Sequence, residues 1–320
     1  MRRMQRVCIL GGSGFVGRHL ANRLYDQGIL SRIPTRRRER TKQILVVPGL
    51  DLVEADIHDP DTLKQLFREC DTVINLVGIL NEKGFDGSGF RRAHVELTDK
   101  VLDACRHAGV RRLLHMSALG ADAEQGPSFY QRTKGESEKL VLSAADALDV
   151  TVFRPSVIFG PDDSFFNRFA LLLKLAPGIF PLPTPHARFS PVYVGDVAEA
   201  FIRAMDDHDT FGQSYDLCGP ETHTLLELVR YTAETAGLRR KVLPASDRLS
   251  RLQARILQRI PGKPFSMDNY LSATVDNVCS VNNLPQLGIH PTAMDAVVPG
   301  YLANRTERAR YNQFRQQTRR

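Results

Sequence analysis

Residues 6–20 read RVCILGGSGFVGRHL. The apolar run ending at Leu10 has the length and composition of a buried strand. Three glycines then follow at every third position: Gly11, Gly14 and Gly17. The residues after them, as far as Gly28, carry apolar side chains at the spacing of an amphipathic helix. A strand, a glycine turn and a helix in this order suit a phosphate-bearing ligand. Gly11 lets the chain turn tightly, Gly14 leaves no Cβ in the way of a pyrophosphate, and Gly17 lets the helix pack on the sheet. The N–H groups at the helix start, around Ser13, Gly14, Phe15 and Val16, then face the phosphates along the helix dipole.

Outward from this turn, strand-like and helix-like segments alternate. LSRIPTR, LDLVEADI, DTVINLVG, RRLLHMSA and DVTVFRPSVIFG read as strands. DPDTLKQLFREC, HVELTDKVLDACRHAG and YQRTKGESEKLVLSAA read as helices. DTVINLVG is apolar enough to be buried on both faces, as parallel strands are. The succession predicts an α/β fold: a Rossmann-type doubly wound parallel sheet with a smaller, mostly helical C-terminal lobe. The expected boundaries are 1–218 for the sheet domain, with an excursion at about 161–190, then 219–303 for the lobe and 304–320 for a basic tail.

The second strand ends in IPTRRRER. In dinucleotide-binding folds an acidic residue there takes the ribose 2′-OH of NAD, whereas an arginine suits the 2′-phosphate of NADP. Arg36 and Arg37 occupy that place, and a guanidinium grips phosphate in a bidentate way. The expected cofactor is therefore NADP, with NAD second. Arg36 is the main contact, and Arg18 can assist from the first helix.

Ser117 stands at the end of the fifth strand, and Tyr130 and Lys134 follow in FYQRTKGE. Positions i and i+4 share a helix face, so the phenol and the ammonium point the same way. A neighbouring cation favours phenolate and makes Tyr130 a general acid/base candidate. Lys134 can also bond the nicotinamide ribose, and Ser117 can hold a substrate oxygen.

The glycine turn, the strand-end serine and YxxxK, in this order, resemble the short-chain dehydrogenase/reductase superfamily in its extended, epimerase-like form. The phrases DTVINLVGIL, GVRRLLHMSALGAD, SFYQRTKGESE, VTVFRPSVIFGPDDSFFNRFA and FSPVYVGDVAEAF resemble its atypical members. These group with the nucleotide-binding accessory subunit of respiratory complex I and its bacterial relatives. The resemblance covers the chain to about Leu302. It implies bound NADP(H) and a link to the respiratory chain or ubiquinone metabolism. By position it also implies cofactor contacts at Asp56 and Ile57, at Leu76, Val77 and Gly78, and at Pro155, Ser156 and Val157. Two functions stay open: an NADP-dependent oxidoreductase or epimerase-like enzyme, and a nucleotide-holding accessory protein of a membrane complex.

The formal net charge of the 320 residues is +7. It is concentrated in RRRERTK (36–42) and in the tail from Asn304, which suggests a phosphate ligand, an acidic partner or a membrane surface. The chain lacks zinc-finger spacing, heptads and an aromatic-rich basic strand, so nucleic acid is not an expected partner. Five scattered cysteines form no CxxC pair and are expected reduced. The nine histidines are dispersed. His94, His115 and His186 read as satisfied polar residues, and no metal is expected. The Asp162–Asp163 pair reads as a helix cap. The segment after Gly160 is apolar and proline-rich with few charges apart from Arg188, which favours an apolar or quinone-like substrate. DRLSRLQARILQRI (247–260) aligns Leu249, Leu252, Ile256, Leu257 and Ile260. It fits a membrane-surface helix or, as the first expectation, a lobe helix burying that face beneath snorkelling arginines. The N-terminus leaves no room for a targeting segment before the first strand, as expected of a protein made and kept in the cytosol or of a mature form already trimmed. The expected location is cytoplasmic, with peripheral contact to the inner face of a membrane as a further option.

Overall fold

A computed structural model describes residues 5–41 and 49–303. The tail from residue 304 and Lys42 of the basic run lie outside the described residues. The chain divides into two compact units. The first comprises the residues up to Pro155, together with Val194–Leu217 and Cys279–His290.

That unit is built on seven parallel strands. They are β1 (Arg6–Leu10), β2 (Leu30–Thr35), β3 (Leu50–Glu54), β4 (Thr72–Asn75), β5 (Arg112–Met116), β6 (Asp149–Pro155) and the strand Gln213–Leu217. Their spatial order is β3-β2-β1-β4-β5-β6, with Gln213–Leu217 beside β6. The order reverses between β1 and β4, where Leu10 lies beside Asn75. In open α/β sheets ligands bind at such a switch point, outside the carboxyl ends of the strands.

The crossovers include α1 (Phe15–Asp26) and α2 (Pro60–Phe67). Asp59 caps α2, accepting from the Thr62 N–H at 3.0 Å, and Pro60 opens it, as the DPDT sequence dictates. Next comes a nearly continuous helical run: α3 (Ser88–Arg91), a wider π turn over Arg92–Glu96, and α4 (Leu97–Ala108). The run starts six residues before His94, where the apolar periodicity first becomes visible. The cause is Glu82, a buried carboxylate that accepts the Gly87 and Gly89 N–H groups at 2.8 Å each. α5 (Phe129–Leu142) is capped by Ser128. Leu63, Leu66 and Phe67 of α2, and Leu97, Val101 and Cys105 of α4, pack with Cys8, Val73, Leu113 and Val152 of the sheet. Each such large apolar side chain contributes roughly 1.5–3 kcal/mol through burial.

One strand residue is charged and buried. Arg112 donates to the carbonyls of Ala204 and Asp149 and to the hydroxyls of Thr151 and Thr210. Its guanidinium also stacks 4.4 Å from the Phe211 ring. Burial lowers its pKa to about 10, and the four acceptors and the ring contact hold it in place.

The second unit comprises Ser156–Tyr193, Cys218–Val278 and the described residues from Pro291 onward. It contains three two-stranded pairings, among them Ile179–Leu182 with Lys241–Pro244. Phe159, Phe166, Leu228, Val298 and Leu302 form one apolar cluster, and Leu173, Leu182, Val229 and Val242 another. The N-cap of the helix Phe166–Leu175 is Phe165, not an aspartate; Asp163, two residues earlier, accepts from the Phe165 and Asn167 N–H groups and from Tyr301 Oη at 2.6 Å.

Two further expectations are corrected. Cys8, Cys70 and Cys105 are free and buried, but Cys218 and Cys279 are disulfide-bonded. The helix Asp247–Leu257 does not bury its large apolar face. Its buried residues are Ser250 and Ala254, while Leu249, Leu252, Ile256 and, just beyond it, Ile260 are exposed. Small and polar residues make its inner contacts: Ser250 Oγ accepts the Thr184 N–H, and Gln253 donates to the Pro181 carbonyl.

Candidate functional site

The glycine turn joins β1 to α1. Gly14 caps the helix in an extended conformation, with no side-chain cap and no acidic residue in the first turn. The helix N-terminus is thus left to anions. Gly11 has φ +77°, and a Cβ there would lie 3.2 Å from the Leu76 carbonyl carbon at the exit of β4. A Cβ on Gly17 would lie 2.4 Å from Gly12 Cα and 2.6 Å from the Gly11 oxygen. Only glycine permits this approach. Val16 is buried beneath the turn, Phe15 packs its ring against His19, and Arg18 Nη1 reaches the Ser13 carbonyl at 3.4 Å.

Arg36 and Arg37 follow β2 and are exposed. Parallel register sets Glu54 opposite Thr35, and its carboxylate accepts the Arg38 N–H at 3.2 Å. The sequence reading missed this carboxylate because it arrives from the neighbouring strand. Asp56 and Ile57 follow β3, and Asp56 accepts the His58 N–H at 2.9 Å. His58 Nδ1 is buried and, among the described residues, without a hydrogen-bond partner. Burial, then Arg92, Lys100 and Arg36, hold His58 below the ordinary histidine pKa against the opposing Asp56. Arg36, Arg92 and Lys100 thus all act on the turn after β3. A basic neighbourhood of this kind suits a phosphate.

Lys134 is the centre of the second half of the site. Its Nζ donates to the Met116 carbonyl at 2.8 Å and to the Val77 carbonyl at 3.3 Å. It is therefore pinned across the ends of β5 and β4, one residue from Ser117. The Lys134 side chain is 3% exposed, and burial pushes its pKa down to about 8. A Cβ on the exposed Gly78 would come within 3.3 Å of this Nζ, so the glycine keeps the ammonium uncovered from that side. Ser117 is held by its N–H to the Phe153 carbonyl at 2.8 Å, and Leu119 N–H bonds the Pro155 carbonyl. Among the described residues the buried Ser117 hydroxyl has no hydrogen-bond partner. Such a group costs about 1–3 kcal/mol unless something outside the chain bonds it.

Tyr130 lies on the first turn of α5, one helical turn before Lys134. Two rings frame it edge-on: Phe90 at 6.2 Å and His94 at 5.6 Å between centroids. His94 Nε2 accepts the Ile79 N–H at 3.2 Å, so its proton is on Nδ1 and is donated to Thr133 Oγ1 at 2.9 Å. Burial, then the charge of Lys134, pushes its pKa to about 2. His94 is a neutral wall.

Beneath it runs a buried polar chain. Asn75 Oδ1 accepts the Val77 N–H, and Asn75 Nδ2 donates to His115 Nδ1. His115 Nε2 donates to Ser137, whose hydroxyl meets Thr98. This chain fixes the Val77 carbonyl that Lys134 bonds. Neither histidine signals such a role by its spacing. Val157 belongs to the second unit, where its N–H donates to Asn277 Oδ1 alongside Ser156.

Glycine cradle, orphaned hydroxyl and basic turn together fit a dinucleotide. Gly11, Ser13, Gly14, Phe15, Val16, Gly17, Leu76, Val77 and Gly78 lie about the switch point, Ser117 and Lys134 lie at the end of β5, and Tyr130 lies one helical turn before Lys134. Among the described residues no cluster of histidine, cysteine and carboxylate side chains could hold a metal ion. No helix of the described residues is long and apolar enough to cross a membrane.

Comparisons with known proteins agree with this geometry. Over 293 residues the chain is 29% identical to the NADH dehydrogenase [ubiquinone] 1 alpha subcomplex subunit 9 of Arabidopsis thaliana, covering 86% of this chain and 71% of that protein. It is 29% identical over 177 residues to the 4-hydroxy-2-methyl-3-oxo-4-farnesyl-3,4-dihydroquinoline-1-oxide ketoreductase of Stigmatella aurantiaca, covering 50% of this chain and 52% of that one. Among solved structures, MoeE5 in complex with UDP-glucose and NAD shares the fold, with a TM-score of 0.72 at 20% identity, over 97% of this chain and 99% of that chain. The model of the NAD dependent epimerase/dehydratase family matches residues 7–218, which span the glycine turn, the Ser–Tyr–Lys set and the whole seven-stranded sheet. By that match this chain belongs to the NAD dependent epimerase/dehydratase family.

Proposed function

We propose that the chain is an NADP(H)-dependent oxidoreductase or epimerase-like enzyme acting at a carbinol or carbonyl carbon. The observation that carries this reading is the orphaned Ser117 hydroxyl beside the pinned, low-pKa Lys134. The cofactor supplies or takes the hydride. Ser117 holds the substrate oxygen, and Tyr130 gives that oxygen a proton during reduction or takes one during oxidation. Lys134, charged at neutral pH, stabilises the phenolate and offers its remaining proton to the nicotinamide ribose. Gly11, Gly14 and Gly17 hold the pyrophosphate. Arg36, with Arg37 nearby, takes the 2′-phosphate. Asp56 and Ile57 border the adenine, and Leu76, Val77, Gly78 and Pro155 border the nicotinamide end.

The ketoreductase relative supports a carbonyl substrate, and the apolar 161–190 segment supports an apolar or quinone-like one. The complex I relative supports a protein working against a membrane complex; a cytoplasmic location at the inner face of the membrane belongs to the same proposal.

A second reading is favoured by Lys134 itself, which spends two of its three donors on main-chain carbonyls. In that reading the nucleotide is held as a structural part of a larger complex. Tyr130→Phe separates the two. Under the first, the variant binds NADPH as the parent does but loses substrate turnover by about 100-fold or more and fails to complement a deletion strain. Full complementation by Tyr130→Phe sinks the catalytic reading and leaves the structural one.

A further inference from the structure

The helix Asp247–Leu257 is built inside out. Leu249, Leu252, Ile256 and Ile260 are 41–53% exposed, while the face turned inward carries Ser250 and Ala254. At roughly 100° per residue Leu249, Leu252 and Ile256 fall within about 60° of arc, and Ile260 follows just past the helix. Arg248, Arg251 and Arg255 fill the neighbouring arc of about the same width, Arg259 follows past the helix end, and all four are exposed.

The stripe continues on adjoining elements of the same unit. On the helix Phe166–Leu175, Arg168, Leu171 and Leu175 share one face. Leu171 and Leu175 are 52% and 73% exposed, and Arg168 reaches the Lys263 carbonyl at 3.1 Å, just past Ile260. Gln253 ties the inside-out helix to Pro181. On that two-stranded ribbon Ile179 and Leu243 are exposed at 56% and 44%. From Arg239 to Lys263 the chain carries eight basic side chains against one acidic, Asp247, and Asp247 already accepts Tyr270 Oη at 2.6 Å.

A patch of large aliphatic side chains on this scale is unusual on a free surface. The geometry points to an anionic lipid bilayer as its occupant: the leucines and isoleucines enter the acyl boundary while the arginines bond the headgroup phosphates. Charge decides for lipid over a second copy of this chain, because two such faces would bring their arginines together. The inference stands independently of the nucleotide site.

The chain has no tryptophan, so Leu252→Trp installs a single reporter. In the full-length protein its emission should shift to the blue on adding vesicles of phosphatidylcholine with phosphatidylglycerol, and not with phosphatidylcholine alone. In flotation assays the wild type should rise with the mixed vesicles and be released by high salt. Leu252→Asp/Ile256→Asp changes only exposed side chains, and its far-UV circular dichroism and urea unfolding midpoint serve as the folding control. It should bind the vesicles at least about tenfold more weakly. Undiminished flotation of that variant, which would mean that the basic tail alone binds lipid, overturns the inference. An unshifted tryptophan also overturns it, as does a wild-type dimer that the aspartates dissociate in the absence of vesicle binding.

Discussion

Lys134 should make the stability of this protein rise with pH in a window where most proteins lose it. The ammonium is buried, and its pKa falls from the ordinary 10.5 to about 8. The unfolded chain then binds its proton more tightly than the folded one. At 1.36 kcal/mol per tenfold, the cost of carrying the charged lysine into the fold is about 3 kcal/mol. That cost is fully present below pH 8, fades as pH rises, and is gone above 10.5. Between pH 7 and pH 10 the wild type should regain about 2 kcal/mol from this group alone. Lys134→Met lacks the titration. It loses the bonds to the Met116 and Val77 carbonyls at every pH, so the difference between the two proteins isolates the lysine. Urea unfolding at steps from pH 7 to pH 10 measures it. The wild type should gain on the variant by about 2 kcal/mol over that range, while the variant binds no NADPH at any pH. A wild-type-minus-variant difference that stays flat would refute the placement of a charged lysine in a buried, carbonyl-lined seat.

Gly17→Ala should reverse the usual helix rule. Alanine ordinarily gains about 1 kcal/mol over glycine inside a helix, but here its Cβ would stand 2.4 Å from Gly12 Cα. The turn must open by about 1 Å, so a net loss of about 1–3 kcal/mol in urea unfolding is expected, together with weaker NADPH binding; a stabilised variant would contradict the contact. Ser117→Ala should raise stability by about 1 kcal/mol by removing an unpaired buried hydroxyl while lowering kcat, and a destabilised variant would show that the hydroxyl has a partner in the free protein. Arg36→Asp should weaken NADPH binding by about 10- to 100-fold and leave NADH nearly unchanged, as read by fluorescence titration. Equal losses for both cofactors would remove Arg36 from the 2′-phosphate.

Much of the sheet is legible because parallel strands buried on both faces announce themselves locally. DTVINLVG contains β4, and the three glycines mark the turn before α1 without any tertiary information. The basic end of β2 reads equally directly. What stayed hidden depends on contacts remote in sequence. Glu54 enters the β2 end through register, which moves a carboxylate toward Arg38 from a strand about 16 residues away. The early start of the α3 run depends on Glu82 folding back onto Gly87 and Gly89. The inside-out helix is the clearest case. Periodicity reports that one face is apolar, but only packing reports which face turns inward. Likewise Asn75, His115 and Ser137 carry no motif, and their joint support of Val77 appears only when three strand and helix ends converge.

The Arg112 cluster sets a schedule for synthesis. While only the first 155 residues have left the ribosome, that guanidinium has the Asp149 carbonyl and Thr151 within reach, but its partners on Ala204 and Thr210 have yet to be translated. The edge of β6 also waits, unpaired, for Gln213–Leu217. A nascent chain therefore holds an open sheet edge and an incompletely bonded arginine while the intervening segment, much of it belonging to the other unit, is being made. Truncation anywhere in that interval leaves the same defect permanently. Stop codons between 156 and 210 should thus yield chains recognised by chaperones and proteases rather than a shortened nucleotide-binding domain.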